Sequence, residues 1–394
     1  MTEAEAMAVL TAAVPAYGRR SRALSAAGSA AALLAEPDAV RALLGEEAAA
    51  SLKKGVREAD TLLEKIAAEK LSLVLQDDPA YPPLLREIHN PPHLLFTAGQ
   101  PALDDAPCIA AVGTREPSAY GLRHAHRIAR ELAEAGCCVV SGLALGIDAA
   151  CHRGALDAGG RTVAVLGGAQ DAFYPRENRP LLERILGGGG SVITEYPPGT
   201  RPSRYSFLHR NRIIAGMCAG VFVAEGRQRS GALRTAGCAL EEGREVFALP
   251  GSIDEATACL PNQLIAEGAK PVTSAADILE ELRFRLPLQG MEKKEKARQN
   301  VKKDAYDEKA AAFPPAAPAG GAEPVIPEDI GERERAVCRA LLAGNADFDE
   351  LTGATNLPDD ELGALLIEME LDGLIEALPG NRFRPGERIS SSQA

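Results

Sequence analysis

At 394 residues the chain is more than twice the length of a typical domain, so two or more compact units are expected. Hydrophobic residues make up 46% and charged residues 25%, ordinary globular proportions that exclude a collagen-like, wholly disordered or membrane-embedded chain. A net charge of −12 argues against a nucleic-acid partner only if it is evenly spread, and it is not.

The opening MTEAEAMAVL is acidic and unlike a secretory signal, and no run reaches the roughly 18 apolar residues of a membrane-spanning helix. Eight cysteines occur without any Cys-x-x-Cys, so reduced, buried thiols in a cytoplasmic protein are expected, with neither a disulfide framework nor a metal site. Residues 1–70 carry Leu33, Leu34, Leu52, Leu62, Leu63 and Ile66 at helical spacing and are expected to form a small helical domain. In residues 71–107 the pairs Pro82-Pro83 and Pro91-Pro92 forbid a long helix, and a connector packing on the following domain is expected.

Residues 108–286 alternate short β-rich runs (CIAAVG, CCVVSG, TVAVLGG, SVITE, GVFVAEG, EVFALPG) with amphipathic helical stretches. Strands apolar on both faces, separated by helices, predict an α/β domain: a Rossmann-like open parallel sheet with helices on both sides. From Cys108 to Arg285 there are 20 basic residues against 19 acidic, and 19 of the 20 are arginine. Residues 287–327 are a charged run followed by a Pro/Ala/Gly-rich one, expected to be a flexible linker. Residues 328–388 are expected to form a helical block in which GNRFRP makes the wing of a helix-turn-helix variant; here acids outnumber bases by 15 to 6.

Ligands of open parallel sheets sit beyond the carboxyl ends of the strands. After the first strand, Gly113, Thr114 and Arg115 offer close backbone approach, a hydroxyl and a guanidinium. After the second, Ser141, Gly142 and Gly146 lead into a helix whose first amides suit an anion; glycine packing alone accounts equally well for that loop. Ser230 precedes another helix after the fifth strand. No Gly-x-Gly-x-x-Gly follows the first strand and no Gly-Lys-Ser/Thr occurs, which argues against a dinucleotide enzyme or an ATPase.

The segment from Arg201 to Arg234 holds seven arginines and one acid, Glu225, with Tyr205 and Phe207 interleaved. Guanidinium groups beside aromatic rings suit single-stranded nucleic acid, whose phosphates and exposed base faces they complement. Arg204 and Phe207 are therefore candidate DNA contacts, as is Arg212. Arg210 and Asn211 lie three residues before Ile213 and Ile214 and share their helix face, so packing and ligand contact are both open for them. Asp148, His152 and Glu195 are the acid/base candidates, but no nucleophile–base pair is legible and no catalytic residue is assigned.

Taken in order, VGTREPSAYG, SGLALGIDAACHRGAL, TVAVLGGAQDAFYPREN, ITEYPPGTRP, FLHRNRIIAG, EGRQRSGALRTAGCALEEGREVFALPG and NQLIAEGA resemble the DNA-processing protein A family (DprA/Smf) over about residues 80 to 285. The resemblance implies a recombination mediator that binds and protects incoming single-stranded DNA and loads the RecA recombinase onto it during natural transformation. It further implies a homodimer through the Rossmann-like domain and no catalysis, cofactor or metal. By motif position Arg115, Arg204 and Phe207 line the DNA pocket, and Ser141, Gly142 and Gly146 cradle phosphates. The first helices loosely resemble the family's sterile-alpha-motif or helix-hairpin-helix-like domain, and the last block its winged helix.

Departures are visible as well. Leu208 stands where the family carries proline before Arg-Asn-Arg, and TACLPNQLI lacks the usual glycine. Acids at the start of the would-be recognition helix, PDDELGALLIEME, disfavour groove reading and point to a protein-contact or self-association role for the block, with a purely structural wing equally open. The alternative from another class is a Rossmann-like nucleoside-monophosphate phosphoribohydrolase. Those enzymes take a catalytic glutamate from a Gly-Gly-x-Gly-Thr-x-x-Glu loop, and GRQRSGALRTAGCA has none at the matching place.

Overall fold

The structure, a computed structural model, describes residues 1–99, 106–228, 230–283, 326–327, 330–344, 347–355, 357, 359–378 and 382–390. The predicted linker falls outside these residues except at 326–327. Five helices come first: α1 (Glu3–Ala13), α2 (Tyr17–Ala27), α3 (Ala30–Ala35), α4 (Pro37–Arg57) and α5 (Ala59–Ala68). A capping box starts α1, where Thr2 and Glu5 exchange side-chain and backbone hydrogen bonds. Leu10, Leu33, Leu52 and Ile66 form the core of this bundle.

The connector contains β1 (Ser72–Leu75), α6 (Pro83–Arg86) and β2 (Leu94–Gly99). It does more than pack on the neighbouring domain: β1 pairs antiparallel with β2, which carries the sheet onward. Leu94 and Phe96 of β2 belong to the helical bundle's core, so this strand joins the two units by one apolar surface.

The α/β domain comprises β3 (Cys108–Val112), α7 (Ala119–Glu134), β4 (Cys138–Ser141), α8 (Ile147–Asp157), β5 (Thr162–Val165), α9 (Arg179–Gly187) and β6 (Ser191–Thr194). It continues with α10 (Arg204–Gly216), β7 (Gly220–Val223), α11 (Gly231–Glu241), β8 (Glu245–Ala248), α12 (Cys259–Ala266), β9 (Lys270–Pro271) and α13 (Ala275–Leu282). The sheet has nine strands in the order β1-β2-β6-β5-β4-β3-β7-β8-β9. β2 meets β6 antiparallel, and every pair from β6 to β9 is parallel. Strands β3 to β7 are buried along their whole length, which is why their sequences are continuously apolar.

One face of the sheet packs through Ala110, Val140 and Val163 on α6, α10, α11 and α12. The other packs through Ile109, Ala111 and Val139 on α7, α8 and α13. Strand order reverses between β3 and β7, so the crevice usual for a ligand opens there.

The last unit has α14 (Glu332–Leu342), α15 (Phe348–Thr355), α16 (Asp359–Leu371), β10 (Ile375–Leu378), β11 (Arg382–Pro385) and α17 (Glu387–Ser390). β10 and β11 form an antiparallel wing over a core of Val337, Leu341, Leu351, Leu362, Leu366 and Met369. Seven of the eight cysteines are buried thiols, and Cys259 is exposed. Among the described residues no helix is long and apolar enough to cross a membrane.

Helices α7 and α8 touch at Gly154, where a Cβ would stand 2.2 Å from the His126 carbonyl oxygen. Gly154→Ala is therefore expected to destabilise the chain by about 1–3 kcal/mol through overpacking, even though alanine favours a helix. Urea unfolding of the full chain checks this, and an unchanged midpoint would show that the helices part without cost.

Candidate nucleic-acid interface

Helix α10 carries most of the candidate residues, and its first turn is fixed to the sheet. Ser203 accepts from the Ser206 amide at 3.0 Å, and Ser206 accepts from the Ser203 amide at 2.8 Å. The Ser206 hydroxyl also donates to the Gly167 carbonyl beyond β5. Gly167 and Gly168 leave no space for a side chain: a Cβ would lie 2.7 Å from the Phe207 ring and 2.9 Å from Pro202. Phe207 is thereby set, half-buried, over the carboxyl end of β5.

Arg210, three residues on, is buried beneath it and donates to the Gly142 carbonyl at 3.0 Å and to the Val165 carbonyl. Burial pulls its pKa down to about 10 against the opposing pull of Asp148, which leaves it charged at neutral pH. Arg115, exposed on the loop after β3, places its guanidinium carbon 5.6 Å from the Phe207 ring centre, and that of Arg210 lies at 6.0 Å. Tyr174 is 55% exposed with its ring centre 6.2 Å from that of Phe207. Arg115, Gly142, Leu145, Tyr174, Phe207 and Arg210 line one shallow concavity.

The loop after β4 is tied down by hydrogen bonds from Asn178 and to Asp148. Leu143 holds φ at 55°, a left-handed conformation costly for leucine, and Gly146 holds 78°. Asn178 donates to the Leu143 and Ala144 carbonyls at 2.9 and 3.0 Å. The Asp148 carboxylate accepts from the amides of Gly142 at 3.1 Å and Ala144 at 3.4 Å. The Gly142 amide, expected to meet phosphate, is thus already engaged, together with that of Ala144.

At the switch point itself the Glu225 carboxylate accepts from the Ser118 amide at 2.8 Å and its hydroxyl at 2.5 Å, at the start of α7. A protein carboxylate therefore fills the helix N-terminus where a dinucleotide fold receives an anion.

The remaining candidates are dispersed. Gly113 packs under Ile147, where a Cβ would lie 2.7 Å away, and a Cβ on Gly146 would meet the Thr114 carbonyl at 2.4 Å. Thr114 bridges to the Glu225 carbonyl through its amide at 2.8 Å. Ser141 is fully buried and donates to the Ala111 carbonyl at 2.6 Å. Asn211 donates to the Gly231 carbonyl at 3.2 Å, and Arg212 to the Asn90 carbonyl at 2.8 Å. Ser230 stands at the start of α11 with its hydroxyl oxygen enclosed. Arg204 is exposed and paired with Glu368 at 2.8 Å. Tyr174 and Leu145 were not among the candidates; the one signal for Tyr174 is an aromatic Phe-Tyr-Pro run in the loop after β5.

The acid/base candidates all carry structural bonds. His152 is fully buried against the Thr162 hydroxyl at 2.7 Å, and burial holds its pKa near 3. Burial raises Asp148, opposed by Arg210. Burial also acts to raise Glu195, but Arg212, His209 and Arg20 outweigh it and hold the carboxyl at about 2. Arg212 is ion-paired to Glu195, and His209 Nδ1 lies 3.1 Å from it. A larger groove of about 480 Å³ lies away from this site, between α1, α4, α5 and Pro198, and has no aromatic ring in its lining.

The profile of the DNA recombination-mediator protein A family matches residues 72–283, over half of the chain. The chain belongs to that family. The DprA winged helix domain matches residues 314–381. Protein Smf of Synechocystis is 36% identical over 330 residues, 82% of each chain. DNA processing protein DprA of Streptococcus pneumoniae is 47% identical over 207 residues, 52% of this chain and 73% of its own. The solved structure of that pneumococcal DprA superposes with a TM-score of 0.62 at 38% identity, over 71% of this chain and 98% of the other. Within the recombination-mediator family the parallel sheet, its flanking helices and the appended winged helix are thus accounted for.

Removing the Glu195 charge strands Arg212 in a buried setting, so Glu195→Gln is expected to cost about 3–5 kcal/mol of stability at pH 7. Because the folded carboxyl sits near 2, below its ordinary 4.5, its contribution is full above about pH 4.5 and is lost as pH falls toward 2. Urea midpoints should therefore differ widely between native and variant chains at pH 7 and converge at pH 2.5; an equal difference at both would refute the assignment.

Proposed function

We propose that the chain binds single-stranded DNA at the concavity around Phe207 and acts as a recombination mediator that covers incoming strands and delivers them to the RecA recombinase during natural transformation. The observation that carries the reading is Phe207 itself: a half-buried ring with two guanidinium groups within 6.0 Å and an exposed tyrosine beside it. An unpaired base has a free face to stack there, and its phosphate meets Arg115; in a duplex those faces are taken up by neighbouring pairs. The family's description as DNA recombination mediators supports the step to DNA and to a recombinase partner. A homodimer through the α/β domain, in the cytoplasm, completes the reading and would raise affinity by presenting two sites to one strand.

In this reading Arg115 and Arg204 contact phosphate, Phe207 stacks a base, and Arg210 with Gly142 forms the floor. Gly113, Thr114 and Gly146 hold the loops at the strand ends, Ser141, Asn211 and Arg212 fix the elements behind, and Ser230, its hydroxyl oxygen enclosed, belongs to the support at the start of α11. No catalytic residue, cofactor or metal is assigned, since Asp148, His152 and Glu195 serve the scaffold.

Fluorescence anisotropy of a labelled oligonucleotide, single- against double-stranded across a salt series, tests the reading. Strong preference for the single strand is expected. Arg115→Ala should weaken binding by about 1.5–3 kcal/mol and flatten the salt slope by about 0.7. Phe207→Ala should weaken it by about 1–3 kcal/mol with the slope unchanged, because stacking releases no counterions. Equal affinity for duplex, or release of free base from AMP by the chain, would overturn the reading.

A further inference from the structure

The winged helix does not stand apart from the candidate interface. Its helix α16 lies against α10 and reaches α11, with Glu368 on Arg204 at 2.8 Å and Glu370 on Arg234 at 3.1 Å. Nearer the start of the helix, Tyr205 packs on it at Gly363, with its ring centre 6.1 Å from that of Phe348. The Tyr205 ring also stacks on His209 at 5.3 Å, so it is held from behind by the buried Glu195 cluster. Two arginines and a tyrosine, beginning three residues from Phe207, are thus contacted by one acidic helix of a unit with 15 acids and 6 bases.

We propose that Arg204, Tyr205 and Arg234 continue the single-strand track from Phe207, and that α16 occupies this stretch as an internal competitor whose two carboxylates stand in for phosphates. The inference rests on the single-strand reading above and adds a site and its regulation to it. The chemistry of the cover matches that of the ligand: anionic groups on each arginine and an apolar contact on the ring. Both ion pairs are partly exposed, Arg204 and Glu368 being 66% and 53% so, and pairs of that kind are individually weak. A polyanion with a charge at every nucleotide competes well against two such pairs, and the winged helix yields as the strand arrives. The apparent Kd then exceeds the intrinsic one by the inverse of the uncovered fraction, about tenfold for a cover in place nine-tenths of the time.

The experiment uses the full chain and a labelled oligothymidylate, read by anisotropy across a salt series. Two variants uncover the track by different chemistry. Glu368→Gln with Glu370→Gln removes the carboxylates. Gly363→Ala leaves the charges but places a Cβ 2.4 Å from the Tyr205 ring, while favouring the helix that bears it. Both are expected to bind the strand about tenfold more tightly than the native chain at low salt, with the gain shrinking as salt rises, because salt itself loosens the native ion pairs and uncovers the track. Adding Arg204→Ala and Arg234→Ala to the double glutamine variant should cancel the gain. If the native chain prefers the single strand but neither uncovering variant binds more tightly, the competitor is refuted while the single-strand reading stands. Weaker binding by both variants would refute it too, by making the winged helix part of the DNA contact. Absence of single-strand binding by every variant at low salt would refute the underlying reading itself.

Discussion

The candidate site depends on one buried guanidinium. Where parallel strands end and splay, their last carbonyls lose ladder partners and need donors from elsewhere. Arg210 supplies them to Gly142 after β4 and to Val165 of β5, while its charge is balanced by Asp148, which in turn ties down the Gly142 and Ala144 amides. The same side chain underlies the Phe207 ring. Gly142 is glycine for this reason: a Cβ there would sit 2.6 Å from the guanidinium. Strand ends, strained loop and aromatic platform are therefore one unit, and a shallow surface concavity gains the rigidity of the core beneath it.

A second charged group explains where the site is not. The sheet has the switch point at which doubly wound folds receive nucleotides. Glu225 places its carboxylate there on the Ser118 amide and hydroxyl, and Gly121 admits it, since a Cβ would overlap the carboxylate at 2.3 Å. A resident anion at a helix N-terminus satisfies the dipole and excludes a second one. The concavity lies instead toward β4 and β5, away from that crevice, and is lined by arginine and aromatic side chains more than by free backbone amides.

Much of the fold was legible because its strands are short, apolar on both faces and punctuated by glycine, a pattern that few arrangements other than a covered parallel sheet produce. β1 and β2 were not. SLVL and LLFTAG are brief runs among paired prolines, and β2 pairs with β6 across almost a hundred residues, which local periodicity does not reveal. Arg115 and Phe207 could be singled out as a charge and a ring at strand ends, and the structure brings them together. Spacing set Arg210 apart, since it shares the helix face of Ile213, yet left Arg212 beside the exposed Arg204 among the candidate contacts, although its side chain is only 11% exposed against Glu195. Ser141 followed a strand like a phosphate ligand yet turns inward to Ala111, a choice set by the sheet's pleat. Tyr174 was missed because an aromatic in a proline-bearing loop has no periodicity to give it away.

Helix α10 shows how burial assigns different work to the same chemistry. Its arginine–glutamate pair at Arg212 and Glu195 is only 11% and 6% exposed, with His209 and Arg20 around it, so separating the charges would leave them in a medium that solvates them poorly. That pair locks α10 to β6, and Arg20 brings the N-terminal bundle's α2 to the same cluster. Eight residues before Arg212, Arg204 meets Glu368 with water on both, and there separation costs little because solvent takes over the lost contact. One helix thus has an end that cannot let go and an end that can. The proposed exchange of the cover for a strand on a firm platform needs both, and the difference is set by exposure to water with no change of residue type.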